Sequence, residues 1–241
     1  MRTWERDIAD KLDEALGTAP DGSGGERLCM TCAELFDVDG AALSLLLSDA
    51  TAGTFAASSR QSRDVDALQF STGEGPCLDS VASGRPVLVE DLRQADRRWP
   101  LFVEGALAQG VSAVFALPVV VGASTVGALD LFRSTPGPLS EHGLWGARRA
   151  AELARLPVLD LIGRVESDVA GGGDGSTQLR SLDRAEVHQA TGMLMVQLGV
   201  DASSAVARLR AHAITEGRTM SDVAWDVIGR RLTLPRDGDA S

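Results

Sequence analysis

A chain of 241 residues with 44% hydrophobic residues can bury the core of one large domain or two modest ones, which excludes a disordered protein. The net charge of −11 argues against nucleic-acid binding, but residues 179–236 hold eight arginines against six acidic residues. No apolar run reaches the roughly 18 residues of a membrane span, and the N-terminus lacks a signal-peptide core. We therefore expect a cytoplasmic protein without a membrane partner.

The first two thirds of the chain alternate strand-like and helix-like patterns, with a strong hairpin signal at Gly122 and a proline, Pro157, that can bend the last helix. In chain order the predicted elements are helices 5–17 and 26–37, strands 41–48, 53–59 and 85–92, helix 99–109, a hairpin of 112–121 with 124–133, and helix 140–163. Strands mixed with peripheral helices predict an α+β, sensor-like domain.

The three cysteines, Cys29, Cys32 and Cys77, are too few for a disulfide framework. The Cys29-x-x-Cys32 pair lacks a second pair at zinc-site spacing and lies on the apolar face of a predicted helix, so we interpret both as small buried residues. Cys77 stands at a predicted helix start, where a lowered thiol pKa would suit a redox sensor. The favoured alternative is a buried turn residue. No metal site is predicted.

Residues 179–236 carry the signals of three short helices. Asp183 begins a capping-box pattern for the first helix, and Gly199 suits its C-terminus. The second helix is predicted to end at Gly217 and the third near Leu232. Three apolar stripes of this size close a small bundle. The predicted core residues are Val187, Ala190, Leu194, Leu198, Ala205, Val206, Leu209, Ala213, Met220, Val223, Ala224, Val227 and Ile228.

Gly192 lies in the middle of the first of these helices, where a glycine costs about 1 kcal/mol relative to alanine. It belongs to the pattern Ala190-x-Gly192-x-Leu194-Met195. We interpret it as bare backbone that is presented to a ligand. The alternative is that the glycine permits close packing between two helices.

This segment resembles an ANTAR domain, the RNA-binding output module of bacterial transcription antitermination regulators. The resemblance rests on the Gly192 pattern, on Gly199-Val200, on Ala205-x-x-x-Leu209-Arg210 and on Asp222-Val223-Ala224. It implies binding to tandem RNA hairpins with short loops, whose unpaired bases are what proteins read on RNA. The residues predicted to contact RNA are His188, Gln189, Thr191, Gly192, Met193, Arg208, Arg210 and Arg218. For His188 and for each arginine the alternative is an ordinary surface role, and for Met193 it is a core role.

The N-terminal part resembles a GAF domain over about residues 20–163. The resemblance rests on Gly73-Glu74-Gly75-Pro76-Cys77-Leu78, Gly84-Arg85-Pro86-Val87 and Glu90-Asp91-Leu92, followed by the hairpin and the terminal helix. It implies an antiparallel sheet flanked by helices, a sensory role and pairing through terminal helices. The resemblance leaves the small-molecule ligand of the GAF pocket unidentified, and no cofactor is predicted.

The predicted organisation is a GAF domain at 1–166, a flexible Gly-rich linker at 167–178, an all-α ANTAR domain at 179–236 and a tail at 237–241. The resulting hypothesis is a non-enzymatic, signal-responsive regulator that binds RNA in transcript leaders and promotes antitermination. Two hairpins need two bundles, which favours a homodimer through helices 141–163 and 5–17.

Two alternatives to this function come from other classes of protein. In the first, the C-terminal bundle binds a protein partner instead of RNA. In the second, the chain is a GAF-type methionine sulfoxide reductase that works through cysteine. The separated positions of Cys29, Cys32 and Cys77 do not favour the reductase.

Overall fold

The computed structural model describes residues 2–17, 23–48, 51–95, 97–171, 185–218 and 220–235. In chain order its elements are α1 (Thr3–Leu16), α2 (Gly24–Leu35), β1 (Gly40–Ser48), β2 (Thr51–Ala57), α3 (Arg60–Thr72), α4 (Pro76–Ser83), β3 (Val87–Val89), α5 (Pro100–Ala108), β4 (Ala113–Val121), β5 (Ser124–Arg133), α6 (Glu141–Leu153), α7 (Arg155–Ala170), α8 (Ala185–Leu198), α9 (Ala202–Thr215) and α10 (Met220–Ile228). No helix in these described segments has the length and apolar character needed to cross a bilayer.

A five-stranded sheet in the order β2-β1-β5-β4-β3, antiparallel throughout, forms the centre of the N-terminal domain. Successive side chains of a strand point to opposite faces. In β1, Leu43 and Leu45 therefore face α1, α2 and α6, while Ala42 and Ser44 face the side covered by α3, α4 and α5. The sheet lies between two helical layers, which confirms the predicted α+β class.

Helix α3 is absent from the sequence prediction. Its buried face combines the apolar Val65 and Phe70 with the polar Asp66 and Gln69, so it carries only a weak apolar stripe. Its start is nevertheless well defined, because the Ser59 side chain accepts a hydrogen bond from the backbone N–H of Ser62. This helix supplies Asp66 and Gln69 to the polar groups that lie beneath the sheet.

The predicted strand at 85–92 is wrong in length, since β3 has only three residues. Pro86 lacks an N–H group, so it cannot extend the ladder from the start of the strand. At the other end, Asp91 accepts a hydrogen bond from the backbone N–H of Arg93 and begins a short 3₁₀ turn over Leu92–Gln94.

The predicted long helix at 140–163 is two helices, α6 and α7, which meet at Ala154. Pro157 explains the break, because its ring clashes with the carbonyl of the residue four positions earlier, Leu153. Helix α7 continues to Ala170 and so includes the first residues of the predicted linker. The remainder of that linker from residue 172, the capping residue Asp183 and the tail at 237–241 lie outside the described residues.

Helices α8, α9 and α10 form a three-helix bundle, as predicted. Every predicted core residue is in contact with one apolar cluster, with Leu198, Val206 and Ile228 only partly buried. Asp201 caps α9 by accepting a hydrogen bond from the backbone N–H of Ser204 at 2.8 Å. Helix α10 ends at Ile228, before the predicted Leu232, because the backbone turns left-handed at Arg230.

Candidate functional site

One solvent-facing side of α8 is formed by Gln189, Gly192, Met195 and Val196, which we call the Gly192 face. Residues three, four and seven positions apart in a helix share a side. Among the described residues, a Cβ atom added at Gly192 would meet no atom within 4 Å. Gly192 therefore does not serve tight packing between the described helices, and its bare backbone is exposed. Val196 beside it is 84% exposed, which is unusual for a large apolar residue.

Two other predicted RNA contacts on α8 face the bundle instead. Thr191 is buried, and its hydroxyl donates a hydrogen bond to the carbonyl oxygen of Val187 at 2.7 Å. The predicted contact at Thr191 is therefore wrong, because the hydroxyl is already satisfied within the helix. Met193 is partly buried against the bundle core. The side chain of His188 lies outside the described residues.

Two of the predicted arginines are engaged within the bundle. Arg218 donates a hydrogen bond to the Asp226 carboxylate at 2.6 Å and a second to the carbonyl oxygen of Asp222. Arg208 contacts the carbonyl oxygen of Pro235 at 3.5 Å. Arg218 thus connects the segment before α10 to that helix, and Arg208 connects α9 to the segment that follows α10. A phosphate contact at Arg218 would compete with its ion pair to Asp226.

Arg210 contacts the N-terminal domain. Its Nη2 donates a hydrogen bond to the carbonyl oxygen of Phe70 at 3.3 Å, near the end of α3. The guanidinium lies against Gly73, where an added Cβ would come within 2.6 Å of Nη1. Burial lowers the pKa of the Arg210 guanidinium, and its Nε has no hydrogen-bond partner in the described part of the chain. Arg210, which is predicted to contact an RNA phosphate, therefore lies against the end of α3 in this structure.

Beneath the sheet lies a set of polar side chains with almost no solvent exposure, which we call the buried polar cluster. Its members are Ser44, Thr54, Asp66, Gln69, Cys77 and Asp130. Asp66 accepts hydrogen bonds on Oδ2 from the hydroxyls of Ser44 at 2.5 Å and Thr54 at 2.6 Å. These bonds connect α3 to β1 and β2.

Gln69 connects the remaining members of the buried polar cluster. Its Oε1 accepts a hydrogen bond from the backbone N–H of Cys77 at 2.7 Å, and its Nε2 donates to Oδ2 of Asp130 at 3.1 Å. The Oδ1 atom of Asp130 is buried without a hydrogen-bond partner among the described residues. Burial, and after it the charge of Asp66, raises the pKa of the Asp130 carboxyl well above its ordinary value.

The sheet register makes room for this cluster. Asp130 on the central strand β5 pairs with Ala42 on one side and with Ala116 on the other. Neither alanine fills the space above the carboxylate. The sequence signal that points to the cluster is the interruption of the apolar runs 41–48 and 124–133 by Ser44 and Asp130.

Comparison with known families decides what these two domains are. A family model of the GAF domain matches residues 25–155, which is more than half of the chain, and one of the ANTAR domain matches residues 177–228. The chain belongs to the GAF family. It also carries an ANTAR domain, which contains all three helices of the bundle. Both domain types are typical of regulatory proteins.

Solved structures show the same fold for the GAF domain. The GAF domain of Acinetobacter phosphoenolpyruvate-protein phosphotransferase is 15% identical, with a TM-score of 0.54 over 68% of this chain and 98% of its own. The GAF domain of the phosphoenolpyruvate-protein phosphotransferase from Coxiella burnetii is 14% identical, with a TM-score of 0.54 over 66% of this chain and 95% of its own. At these identities the likeness shows the fold alone. Among curated proteins, no relative matches the chain.

All three cysteines of the GAF domain are fully buried free thiols, as the favoured interpretation predicts. Burial raises the pKa of Cys29, Cys32 and Cys77, and for Cys77 the charges of Asp130 and Asp66 add to this effect. The alternative of a lowered pKa at Cys77 is therefore wrong, because desolvation and two carboxylates outweigh the helix N-terminus.

We expect the native protein to resist thiol alkylation. Because only the thiolate reacts, iodoacetamide at pH 8 should modify the three cysteines at least about tenfold more slowly in the native chain than in urea. Mass spectrometry of the intact chain over time measures the number of modified thiols. Fast modification of Cys77 in the native protein would contradict the burial described above.

Proposed function

We propose that this protein is a signal-responsive regulator that binds RNA through its ANTAR domain and promotes transcription antitermination. The observation that supports this most is the exposed Gly192 face within a folded three-helix ANTAR domain. Domains of the ANTAR family are those of RNA-binding antitermination regulators, and GAF domains are sensor modules. In this proposal the GAF domain senses the signal, and the ANTAR domain responds by binding RNA.

The Gly192 face has the chemistry that unpaired RNA bases need. Without a side chain at Gly192, a base or ribose can approach the helix backbone closely. Met195 and Val196 offer apolar surface against which a base can lie, and the Gln189 amide can both donate to and accept from a base edge. We propose that the loops of two tandem short-loop hairpins bind here, one hairpin to each ANTAR domain.

Binding of the purified protein to RNA tests this proposal. The probe is an RNA with two tandem short-loop hairpins, compared at two salt concentrations with an RNA of scrambled loops. Loop-specific binding that weakens with salt supports the proposal, because phosphate contacts release counterions. A chain whose bundle binds a protein partner instead would show no preference for the intact loops.

We further propose a homodimer through α7. Leu156 and Leu159 are each 44% exposed, and with Gly163 they form a stripe at spacings of three and four residues. Such a stripe is suited to pairing with its copy along a second helix. Helix α1 of the predicted dimer surface packs on α6 of its own chain, where the Trp4 ring contacts that of Trp145 at a centroid distance of 5.6 Å.

The docked position of Arg210 supports a coupling between the two domains. While Arg210 binds the end of α3, it is withheld from RNA, so states that release it should favour RNA binding. We expect Gly73→Asn to strengthen RNA binding by the full chain about fivefold. Asparagine tolerates the left-handed backbone at Gly73, but its Cβ would displace the guanidinium.

Gly84→Asn is the matched control for that variant. Gly84 also ends a helix in the left-handed region, but its nearest side-chain atom, Oγ1 of Thr125, is at an ordinary 3.5 Å from an added Cβ. The RNA affinity of the Gly84→Asn variant should equal that of the unmodified chain in a fluorescence anisotropy titration. Equal affinity of the Gly73 and Gly84 variants would contradict the coupling.

A further inference from the structure

The two carboxyl groups of the buried polar cluster share one desolvated site. Asp66 and Asp130 are both fully buried, and the side-chain donors that the structure gives them are neutral: Ser44, Thr54, Gln69 and the Cys77 thiol. A buried carboxylate normally pairs with a cationic side chain, binds a metal ion or takes up a proton. Two carboxylates at one site increase this need.

The donor atoms converge in a way that suits a cation. One oxygen from Asp66, one from Asp130 and the Cys77 sulfur all lie within 4.8 Å of one another. Independently of this spacing, Oδ1 of Asp130 is fully buried and accepts no hydrogen bond from an amide or hydroxyl donor in the described part of the chain; the Asp130 side chain otherwise faces the Asp66 carboxyl and the Cys77 thiol. An acceptor left in this state is rare in a folded interior.

We propose that Asp66, Cys77 and Asp130 bind a zinc ion inside the GAF domain. A thiolate with two carboxylates suits the borderline-soft Zn²⁺, whereas Mg²⁺ and Ca²⁺ take oxygen ligands alone. Ligand atoms around a tetrahedral zinc ion lie roughly 3.4 Å apart. Because the three donors are at most 4.8 Å apart, shortening their separations by up to about 1.4 Å would bring them to that distance.

The rest of the buried polar cluster would orient these ligands. Ser44 and Thr54 hold Oδ2 of Asp66, while Gln69 holds Oδ2 of Asp130 and the backbone of Cys77. Such hydrogen bonds beyond the ligands commonly fix ligand geometry in metal sites. Zinc binding would deprotonate the Cys77 thiol and any protonated carboxyl of the pair, and these protons would pass to the solvent.

The test uses the full chain carrying Cys29→Ser and Cys32→Ser, so that Cys77 is the only thiol. The chain is produced in zinc-supplemented medium, desalted in the presence of a chelator, and its metal content is measured by elemental mass spectrometry. A second preparation is loaded with Co²⁺, whose coordination by a thiolate produces a near-ultraviolet charge-transfer band. We expect one metal ion per chain and a clear band.

Variants of the ligands separate this site from accidental binding. Cys77→Ser should remove the cobalt band, and Asp130→Asn, which is nearly isosteric, should weaken metal affinity at least about tenfold. Asp64→Asn, on the exposed side of α3, the helix that carries Asp66, is the matched control and should bind metal like the parent chain.

A parent chain that contains no metal ion and shows no cobalt band would overturn the proposal. The buried carboxyl groups would then be stabilised by shared protons and hydrogen bonds alone. Metal content that survives Cys77→Ser and Asp130→Asn in the folded chain would also overturn it. If a ligand variant fails to fold, the parent measurement still decides, because it needs no substitution at the site. This site does not depend on RNA binding by the ANTAR domain.

Discussion

Replacing Gly192 by valine is expected to abolish binding of the protein to tandem-hairpin RNA while the ANTAR domain stays folded. The branched side chain would fill the space that a base or ribose occupies against the helix backbone. It would not disturb the bundle, because no atom from the parts of the chain that the structure describes lies within 4 Å of the added Cβ. Valine is also no worse than glycine as a helix former, so the melting temperature should not fall.

The measurement is a fluorescence anisotropy titration with circular dichroism as the folding check. We expect the affinity to fall by about 100-fold, which corresponds to roughly 2.7 kcal/mol. Gly192→Ala is the graded control: it adds a single methyl group, should raise helix stability by about 1 kcal/mol and should weaken binding less. Normal RNA binding by a folded valine variant would show that the interpretation of Gly192 is wrong.

Changing both Leu156 and Leu159 to aspartate is expected to give a monomer. Four carboxylates would then meet along the proposed α7 interface, and each would lose hydration there. Because the two positions are exposed within one chain, the GAF domain should still fold. Affinity for the tandem-hairpin RNA should fall by about 100-fold through lost avidity, whereas affinity for a single hairpin should not change.

Light scattering coupled to size exclusion measures the mass of this variant. Leu101→Asp on α5 is the matched control, since Leu101 is 41% exposed but lies across the sheet from α7. It should leave the dimer intact. A dimer that persists in the double variant would mean that the α7 stripe is not the contact surface.

The parts of the fold that sequence reasoning predicts are those with local signals. Strands β4 and β5 are two mostly apolar runs that meet at Gly122, whose positive φ suits the turn. The bundle helices have clear starts and apolar stripes. Helix α3 was missed because Asp66 and Gln69 occupy its buried face, and their burial depends on partners from distant strands.

The residues of the candidate site also fall into two groups: those that a local sequence signal identifies and those that only the folded structure places. The exposure of Gly192 follows from one unusual residue in an otherwise regular helix. In contrast, Thr191 is polar in sequence but buried in the bundle, and only the packing of three helices decides this. The position of Arg210 depends on a carbonyl oxygen 140 residues earlier in the chain. No pattern within the C-terminal segment contains that information.

The contact between Arg210 and Phe70 also has a consequence for the order of synthesis. Helix α7, the last helix that the structure describes before the bundle, ends at Ala170, and Arg210 follows it 40 residues later. At ordinary elongation rates this interval lasts about 2 to 8 s, and domains generally fold as units from the N-terminus. The sensor can therefore complete its fold, and take up any occupant of its core, before the arginine emerges. Arg210 would then meet a docking surface on α3 that is already folded, rather than one that forms around it.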